Sequence, residues 1–456
     1  MDNYVNKKVS NKALNKLFSD FKENNLCLQT ISIMKGDELL LRYAPSPYSC
    51  SQKREIYSLS KTFTSTIVGI AYDMGYLSDE DYICDYFPEL VVDDSFKKIQ
   101  IKHVLSMNTG HEECVMNKMS HKGNSYEGFF CVPIKYEPGS HFTYNTGATC
   151  LLVSIVERAT KRYFMDFANE YLFSKLQIND VYWCTCADGT PQGGTGLHIC
   201  NDDILKLGKM YLNKGIYNGE RILSEEWINK ATRFISDNTG NGHLDWCSGY
   251  GYQIWLNSNE GYRGDGAHGQ LMLVYPERNT IVVIQAMAMN MGLESEIVYD
   301  FVCNMLNCDT DELIPLNYTP ISCKGEINPF NKYYALTKNP AEFEGVNVNI
   351  NNDALSLTFS TKHGLYTLKA GNGKFIKSVN NCKYITPCLS WLMFCGMYED
   401  VITYSSFTEL ENGYLIEIRY DNCPYIEKAT LELTESSFKL NLPEDRNTDM
   451  HLLCSL

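Results

Sequence analysis

The sequence predicts an α/β chain with an additional antiparallel β domain toward its C-terminal end, and three observations support this. Apolar residues recur every three or four positions from Ile56 to Ile70, as on the buried face of a helix. The run from Thr280 to Met287 is nearly continuously apolar, which is typical of a buried central strand. Beyond residue 333, apolar residues alternate with polar ones, and this period of two indicates strands with one covered face.

These patterns divide the 456 residues into three parts. Residues 1–312 carry the mixed helix and strand patterns of a first domain. Residues 313–333 are rich in Pro, Asn and Lys without periodicity, and we interpret them as a linker. Residues 334–456 carry the alternating pattern of the C-terminal β domain. A hydrophobic content of 44% is enough for substantial cores in both domains.

The first domain begins with elements that are simple to assign. Asn11 to Asn24 places Leu14, Leu17, Phe18 and Phe21 on one side of a predicted surface helix. Leu28 to Met34 and Glu38 to Tyr43 read as two strands of a hairpin around a Gly-containing turn. The Ile56 to Ile70 helix follows, so strands and helices mix from the start of the chain.

Charge and cysteine usage limit the possible partners and compartments. The net charge of −15 argues against a nucleic acid or an anionic membrane as partner, because either requires a basic surface. Met1 to Lys22 is polar and charged, so we expect no signal peptide, no membrane span and a cytoplasmic location. The 18 Cys lie mostly among apolar neighbours, which fits a reducing compartment. The oligomeric state is left open.

Ser58 and Lys61 lie three residues apart at the start of the predicted helix. Positions i and i+3 share a helix face, so the hydroxyl and the amine can meet. A hydroxyl needs a neighbouring base to become a nucleophile, and burial favours the neutral amine that can act as one. The alternative is an ordinary helix start capped by Ser58 or Ser60. The same spacing also begins at four other serines, Ser19, Ser32, Ser95 and Ser436.

Two further stretches carry candidate functional residues. Residues 138–147 place Tyr144 in a turn just before an apolar helix. An aromatic residue there is also a common hydrophobic staple, which is the alternative interpretation. Residues 264–270 are rich in Gly and contain His268 just ahead of the strand Leu271 to Tyr275, so close backbone approach is possible.

At this point the chain resembles the serine β-lactamase and penicillin-binding-protein superfamily, near class C β-lactamases, related esterases and 6-aminohexanoate-oligomer hydrolases. The resemblance rests on several short stretches that occur in the family's order between Leu28 and Asn307. These are residues 57–61 with 69–71, 101–110, 138–152, 193–197, 211–215, 250–252 and 266–270.

The resemblance implies an α/β sandwich, with a central antiparallel sheet between helices and the nucleophile helix between two lobes. It implies that Ser58 is the nucleophile, Lys61 its proton partner and Tyr144 the relay to the leaving group. Which of Lys61 and Tyr144 acts as the base in acylation stays open. The backbone N–H groups of Ser58 and Ala267 would form the oxyanion hole. No metal and no organic cofactor are implied.

The chain departs from the family pattern at two motifs. The usual Tyr-x-Asn is Tyr144-Asn145-Thr146, and the third motif aligns with Gly264-Asp265-Gly266 and lacks its usual leading cation. Arg263 or His268 is a possible substitute for that cation, and a surface Arg or a polar turn His is the alternative. We expect Asn145, Gly266 and His268 to contact substrate.

These departures favour a small ester or amide over penicillin as the substrate. The sequence therefore predicts a serine hydrolase that works through an acyl-enzyme. The alternative is a catalytically inactive relative that binds a peptide, a cell-wall fragment or a partner protein in the same cleft. The role of the C-terminal β domain stays open.

Overall fold

The computed structural model describes residues 3–90, 93–116, 118, 126–307, 309–337, 339, 343–362, 364–381, 400–441 and 451–455. The chain separates into two compact units. Unit 1 comprises Met1–Ala44 and Ser49–Pro315, and unit 2 comprises Pro45–Tyr48 and Leu316–Leu456. No helix among the described residues is long and apolar enough to cross a membrane.

The labelled helices all lie in unit 1. They are α1 (Asn11–Glu23), α2 (Ser60–Asp73), α3 (Ile83–Tyr86), α4 (Ile101–Leu105), α5 (Glu127–Phe130), α6 (Thr146–Thr160), α7 (Phe164–Ala168), α8 (Asn201–Leu212), α9 (Glu225–Ala231) and α10 (Met291–Asn304). Short 3₁₀ segments span Tyr57–Leu59, Asp94–Lys98 and Leu244–Trp246, and one π-helical turn spans Asn169–Phe173.

The strands of unit 1 are numbered in chain order. They are β1 (Tyr4–Val5), β2 (Cys27–Lys35), β3 (Glu38–Tyr43), β4 (Arg54–Glu55), β5 (Tyr182–Trp183), β6 (Leu197–Ile199), β7 (Ile216–Tyr217), β8 (Glu220–Arg221), β9 (Trp255–Leu256), β10 (Tyr262–Gly266), β11 (Gln270–Tyr275) and β12 (Thr280–Met287).

The central sheet of unit 1 has seven strands in the order β1-β3-β2-β12-β11-β10-β9. Every neighbouring pair is antiparallel, and the predicted β2–β3 hairpin is confirmed. The central strand β12 is buried from Thr280 to Ala286, although its side chains alternate between the two faces of the sheet. Both faces are therefore covered, which explains the nearly continuous apolar run in the sequence.

Helices supply that cover. Helix α8 packs against β2, β11 and β12. Its Gly208 permits this close contact, since a Cβ there would lie 2.8 Å from Cγ2 of Ile281. Helix α1 packs against α10 and β2, and it buries the predicted face of Leu14, Leu17, Phe18 and Phe21. A central antiparallel sheet flanked by helices confirms the fold class predicted for this part of the chain.

Unit 2 is dominated by one ten-stranded sheet. Its strands are β13 (Phe330–Ala335), β14 (Gly345–Ile350), β15 (Ala354–Thr361), β16 (Gly364–Asn372), β17 (Ile376–Asn381), β18 (Asp400–Leu410), β19 (Gly413–Tyr420), β20 (Ile426–Leu433), β21 (Ser437–Asn441) and β22 (His451–Ser455). Its pairs are antiparallel except β16–β18, which is parallel over three residues. The C-terminal β domain is confirmed as sheet, and β13 begins inside the range predicted as a linker.

Candidate active site

Ser58 lies in a tight turn between β4 and α2. The turn is a single 3₁₀ segment, and Tyr57 enters it with a positive φ of 46°. A non-glycine residue in this region of backbone space is uncommon and often marks a functional turn. Every residue from Arg54 to Ala71 is described, and Ser58 alone among them is not buried. The turn therefore presents one hydroxyl at the surface of an otherwise closed core.

Lys61 follows one helical turn later, and its amine contacts three oxygen atoms. Its Nζ lies 2.9 Å from Oγ of Ser58, 3.1 Å from Oγ1 of Thr146 and 2.6 Å from the carbonyl oxygen of Gly194. The side chain is 1% exposed. Burial disfavours the charged ammonium and lowers the pKa of Lys61 from its ordinary 10.5 to about 8.

Tyr144 lies just before α6 and faces the same hydroxyl. Nζ of Lys61 is 4.9 Å from the centre of the Tyr144 ring, and the Ser58 side chain lies near enough to the phenol to oppose part of the rise in its pKa that burial causes. Burial raises the pKa of Tyr144 well above 10, so its phenol keeps its proton at neutral pH. The structure therefore brings Ser58, Lys61 and Tyr144 into mutual contact.

The Gly-rich loop between β5 and β6 completes the surroundings of the amine. A Cβ on Gly193 would lie 2.4 Å from Val153, and one on Gly194 would lie 2.7 Å from Cγ2 of Thr146. Only residues without side chains fit this close against α6. The loop is also held by Thr64, whose hydroxyl donates to the Gly193 carbonyl at 2.8 Å. The close packing of this loop against α6 places the Gly194 carbonyl within hydrogen-bonding distance of Lys61.

Strand β10 lies directly against the turn that carries Ser58. A Cβ on Gly264 would lie 2.2 Å from Leu59, and one on Gly266 would lie 2.1 Å from the carbonyl oxygen of Ile56. Ala267 follows as the first residue of the β10–β11 turn and is partly exposed. The N–H groups at the first turn of a helical segment lack intrahelical acceptors, which suits Ser58 for the predicted oxyanion hole.

Arg263 is held inside the protein by four acceptors. Its Nε donates to Asp265 at 2.8 Å, and Nη1 donates to Asn257 and to the Leu256 carbonyl at 3.2 and 3.3 Å. Its Nη2 donates to the Asp245 carbonyl at 3.2 Å. The side chain is fully buried, and all three guanidinium nitrogens are engaged. Arg263 therefore does not offer the free cation that the third motif lacks.

His268 and Asn145 have different surroundings. His268 is partly exposed in the β10–β11 turn, with a φ of 64° and its ring edge-on to Tyr57 at 5.2 Å between centroids. Asn145 is fully buried, and its Oδ1 accepts from the N–H groups of Ala148 and Val115 at 3.2 and 3.1 Å. These are the bonds of a residue that caps α6 and holds a neighbouring loop.

Sequence reasoning missed three groups that contact the catalytic candidates: Thr146, the Gly194 carbonyl, and Trp255, whose ring stacks on Tyr144 at 5.2 Å. Thr146 stands where the family motif has Asn, and that position in the motif was a usable signal of its contact with Lys61. The Gly193-Gly194 pair was a usable signal of close backbone approach. Trp255 carries no local signal.

A protein-family model described as Beta-lactamase matches residues 18–294, which is more than half of the chain. A curated relative, the 6-aminohexanoate-dimer hydrolase of Paenarthrobacter ureafaciens, is 23% identical over 283 residues. That alignment covers 56% of this chain and 72% of the relative.

Solved structures show the same fold at low identity. An octameric penicillin-binding-protein homologue from Pyrococcus abyssi matches with a TM-score of 0.53 and 15% identity, over 97% of this chain and 99% of that one. EstCE1, a hydrolase with promiscuous acyltransferase activity, matches with a TM-score of 0.52 and 15% identity, over 64% and 98%. Together with the family match, these relatives identify the chain as a member of the beta-lactamase family and a hydrolase.

Proposed function

We propose that this protein is a serine hydrolase that cleaves a small ester or amide through an acyl-enzyme on Ser58. The observation that carries the proposal is the contact of one partly exposed hydroxyl with a buried amine, beside a protonated phenol. These are the three chemical roles that acyl transfer requires: a nucleophile, a base and a proton donor.

The contacts of Lys61 fit a neutral amine. Such an amine has two N–H donors and one lone pair. The donors match the Gly194 carbonyl and the Thr146 hydroxyl, and the lone pair is left for the proton of Ser58. With a pKa of about 8, Lys61 is neutral in a useful fraction of molecules near neutral pH.

The reaction then follows in two steps. Oγ of Ser58 attacks the substrate carbonyl carbon while its proton passes to Nζ of Lys61, and the N–H groups of Ser58 and Ala267 stabilise the oxyanion. Tyr144 gives its phenolic proton to the leaving alcohol or amine as the bond to carbon breaks, and the proton on Lys61 restores the phenol. Water then attacks the acyl carbon and gives its proton to Lys61. The bond between that carbon and Oγ of Ser58 breaks, Oγ takes the proton from Lys61, and the carboxylic acid leaves.

The substrate class follows from the relatives and from the third motif. The curated relative is named for hydrolysis of a 6-aminohexanoate dimer, and a fold neighbour is named as a hydrolase with acyltransferase activity. Arg263 has no free nitrogen for the carboxylate of a penicillin. A small ester or amide is therefore the better candidate.

The test compares two serines that share the same spacing to a lysine. Ser58→Ala should abolish turnover of p-nitrophenyl acetate and labelling by a fluorophosphonate, because the nucleophile is gone. Ser95→Ala should leave both unchanged, since Ser95 lies in the short 3₁₀ segment Asp94–Lys98. Full turnover by Ser58→Ala would overturn the proposal. An unlabelled, inactive wild type would favour a binding module instead.

A further inference from the structure

Three partly exposed aromatic side chains pack against one small buried cluster: Phe142, Tyr144 and Trp246. Tyr144 is the one that lies beside the candidate nucleophile. We call these three side chains the aromatic surface. Two buried rings lie behind them, Tyr250 and Trp255, which are 1% and 5% exposed. Aromatic rings grouped on one surface can bury a flat apolar ligand and gain stacking contacts with it.

Packing fixes the rings of the aromatic surface in place. Tyr144 stacks on Trp255, with 29° between the ring planes. Phe142 contacts Tyr250 at 5.4 Å between centroids and Trp255 at 6.0 Å. Nε1 of Trp246 donates to Asp265 at 3.1 Å. A flat group that binds here therefore loses little free energy to reordering of the protein side chains.

The charges at this surface favour neutral ligands. Asp265 is buried behind Trp246, and its carboxylate is paired with Arg263 at 2.8 Å. Because Arg263 is fully buried and each of its guanidinium nitrogens already donates to an acceptor inside the protein, it presents no surface to a substrate carboxylate. A carboxylate would also be desolvated against aromatic rings, which disfavours its binding.

The position of Tyr144 tells which half of the substrate meets the aromatic surface. In the proposed reaction its phenol protonates the leaving group, so the rings around that phenol lie on the leaving-group side. The acyl group, in contrast, is bound to Ser58 next to the β10–β11 turn.

We propose that this hydrolase prefers uncharged substrates whose leaving group is flat and aromatic, seated on Phe142, Tyr144 and Trp246. This inference rests on the proposed function, because it assigns a side of the cleft from the proposed role of Tyr144. It makes Phe142 a specificity-determining residue for the leaving group.

The experiment uses acetates, because all of them give the same acetyl-enzyme and differ only in the leaving group. Values of kcat/KM are measured for 2-naphthyl, 3-carbamoylphenyl, 3-carboxyphenyl and 2,2,2-trifluoroethyl acetate. Each is divided by the rate of alkaline hydrolysis of that ester, which corrects for intrinsic leaving ability. We expect 2-naphthyl acetate to exceed trifluoroethyl acetate by about 10-fold, as one aromatic contact allows. The carbamoyl ester should exceed its carboxylate counterpart by about 10-fold or more.

Two variants assign the preference to the aromatic surface. Phe142→Ala should lower the naphthyl-to-trifluoroethyl ratio roughly 5-fold, and Phe142→Leu, which keeps apolar volume, should lower it by a smaller amount. Tyr76→Ala is the matched control, since Tyr76 is an exposed aromatic residue at the opposite end of α2 from Ser58. It should leave the ratio unchanged.

The outcomes separate the inference from the function beneath it. Turnover that depends on Ser58 but shows equal normalised values for aromatic and aliphatic acetates overturns the inference and leaves the hydrolase intact. A preference for the carboxyphenyl ester, or a ratio that Phe142→Ala does not change, also overturns the inference. Absence of Ser58-dependent turnover for every acetate overturns both.

Discussion

Lys61 and Arg263 are both buried basic residues of unit 1, but their surroundings differ in charge. Lys61 is 1% exposed and contacts two hydroxyl groups and one carbonyl oxygen. Arg263 is fully buried and forms an ion pair with Asp265. The first arrangement lowers the pKa of the amine to about 8, whereas the second keeps a guanidinium charged in every condition.

The difference indicates that Lys61 can lose its proton, whereas Arg263 stays protonated. A carboxylate beside Lys61 would favour the ammonium, and the proposed base for Ser58 would then be lost. A buried ion pair is instead a rigid connector, and here it joins β10 to the segments around Asn257 and Asp245. We infer that proton transfer belongs to the first site and support of the third-motif strand to the second.

We expect the largest loss of activity when Lys61 is replaced by a residue that keeps the positive charge but cannot release a proton. Lys61→Arg should lower kcat about 10²–10⁴-fold, because a guanidinium cannot accept the proton of Ser58. Lys230→Arg is the matched control. Lys230 pairs with Asp79 at 3.2 Å, so it needs only its charge, and activity should stay within about 2-fold of wild type. Equal losses in both variants would contradict the comparison.

The ion pair is tested through stability. Asp265→Ala leaves Arg263 buried without its counterion, which should cost about 3–5 kcal/mol of folding free energy. Thermal unfolding should show this as a marked fall in Tm. Asp265→Asn, which keeps an acceptor for Trp246 and Arg263, should lose less. A Tm unchanged by Asp265→Ala would show that the pair does not support the strand.

The pH profile sharpens the assignment of the base. In the proposed mechanism only the neutral form of Lys61 is active, so kcat/KM should rise with pH through an apparent pKa near 8. Thr146→Val removes one acceptor of the ammonium and should shift this limb to lower pH, with roughly a 10-fold lower plateau. Thr146→Ser keeps the hydroxyl, so the pH of the rising limb and the plateau value of kcat/KM should both stay near those of the wild type. A limb that stays in place in Thr146→Val would argue against Lys61 as the titrating group.

The smallest effect concerns a buried titratable side chain, Glu294. Both of its carboxylate oxygens are buried, and neither has a hydrogen-bond partner among the described residues. They lie against Gly269 in the turn after β10. Burial raises the pKa of Glu294 from its ordinary 4.5 to about 8, so the folded state holds a proton that the unfolded chain releases.

Stability should therefore fall as the pH rises from 4.5 to 8, because folding then requires proton uptake. The Gln side chain of Glu294→Gln cannot titrate, so the Tm of this variant should fall less than that of the wild type between pH 5.5 and pH 8. Each kcal/mol of difference in unfolding free energy corresponds to roughly 2–4 °C in Tm. The control is Glu296→Gln, which changes an exposed side chain on the same helix. A Tm difference that is identical in wild type and Glu294→Gln would contradict the buried, protonated carboxyl.

Local patterns predicted the fold class, and they singled out Ser58 as the candidate nucleophile. The apolar period around Ser58 and the run at β12 depend on nearest neighbours in sequence, so they are visible without a structure. The parallel β16–β18 pair depends on which distant strands meet, and no local pattern encodes that choice.

The surroundings of Lys61 show the same limit. Its spacing to Ser58 was readable because one helix carries both residues. The Gly194 carbonyl reaches the amine from a loop 133 positions away, through the close packing of two glycines. The expectation that Arg263 might bind substrate could not be judged from sequence, because its four acceptors come from three separate positions in the chain besides Asp265.

The glycines of β10 also bear on how this hydrolase can be redesigned. Because a methyl group at 264 or 266 would strike Leu59 or the Ile56 carbonyl, mutagenesis libraries that vary these positions would separate the strand from the nucleophile before they changed selectivity. Ala267 and His268 come next along the chain and retain exposed surface. New substrate preferences are therefore best sought in that turn, with the strand left as it is.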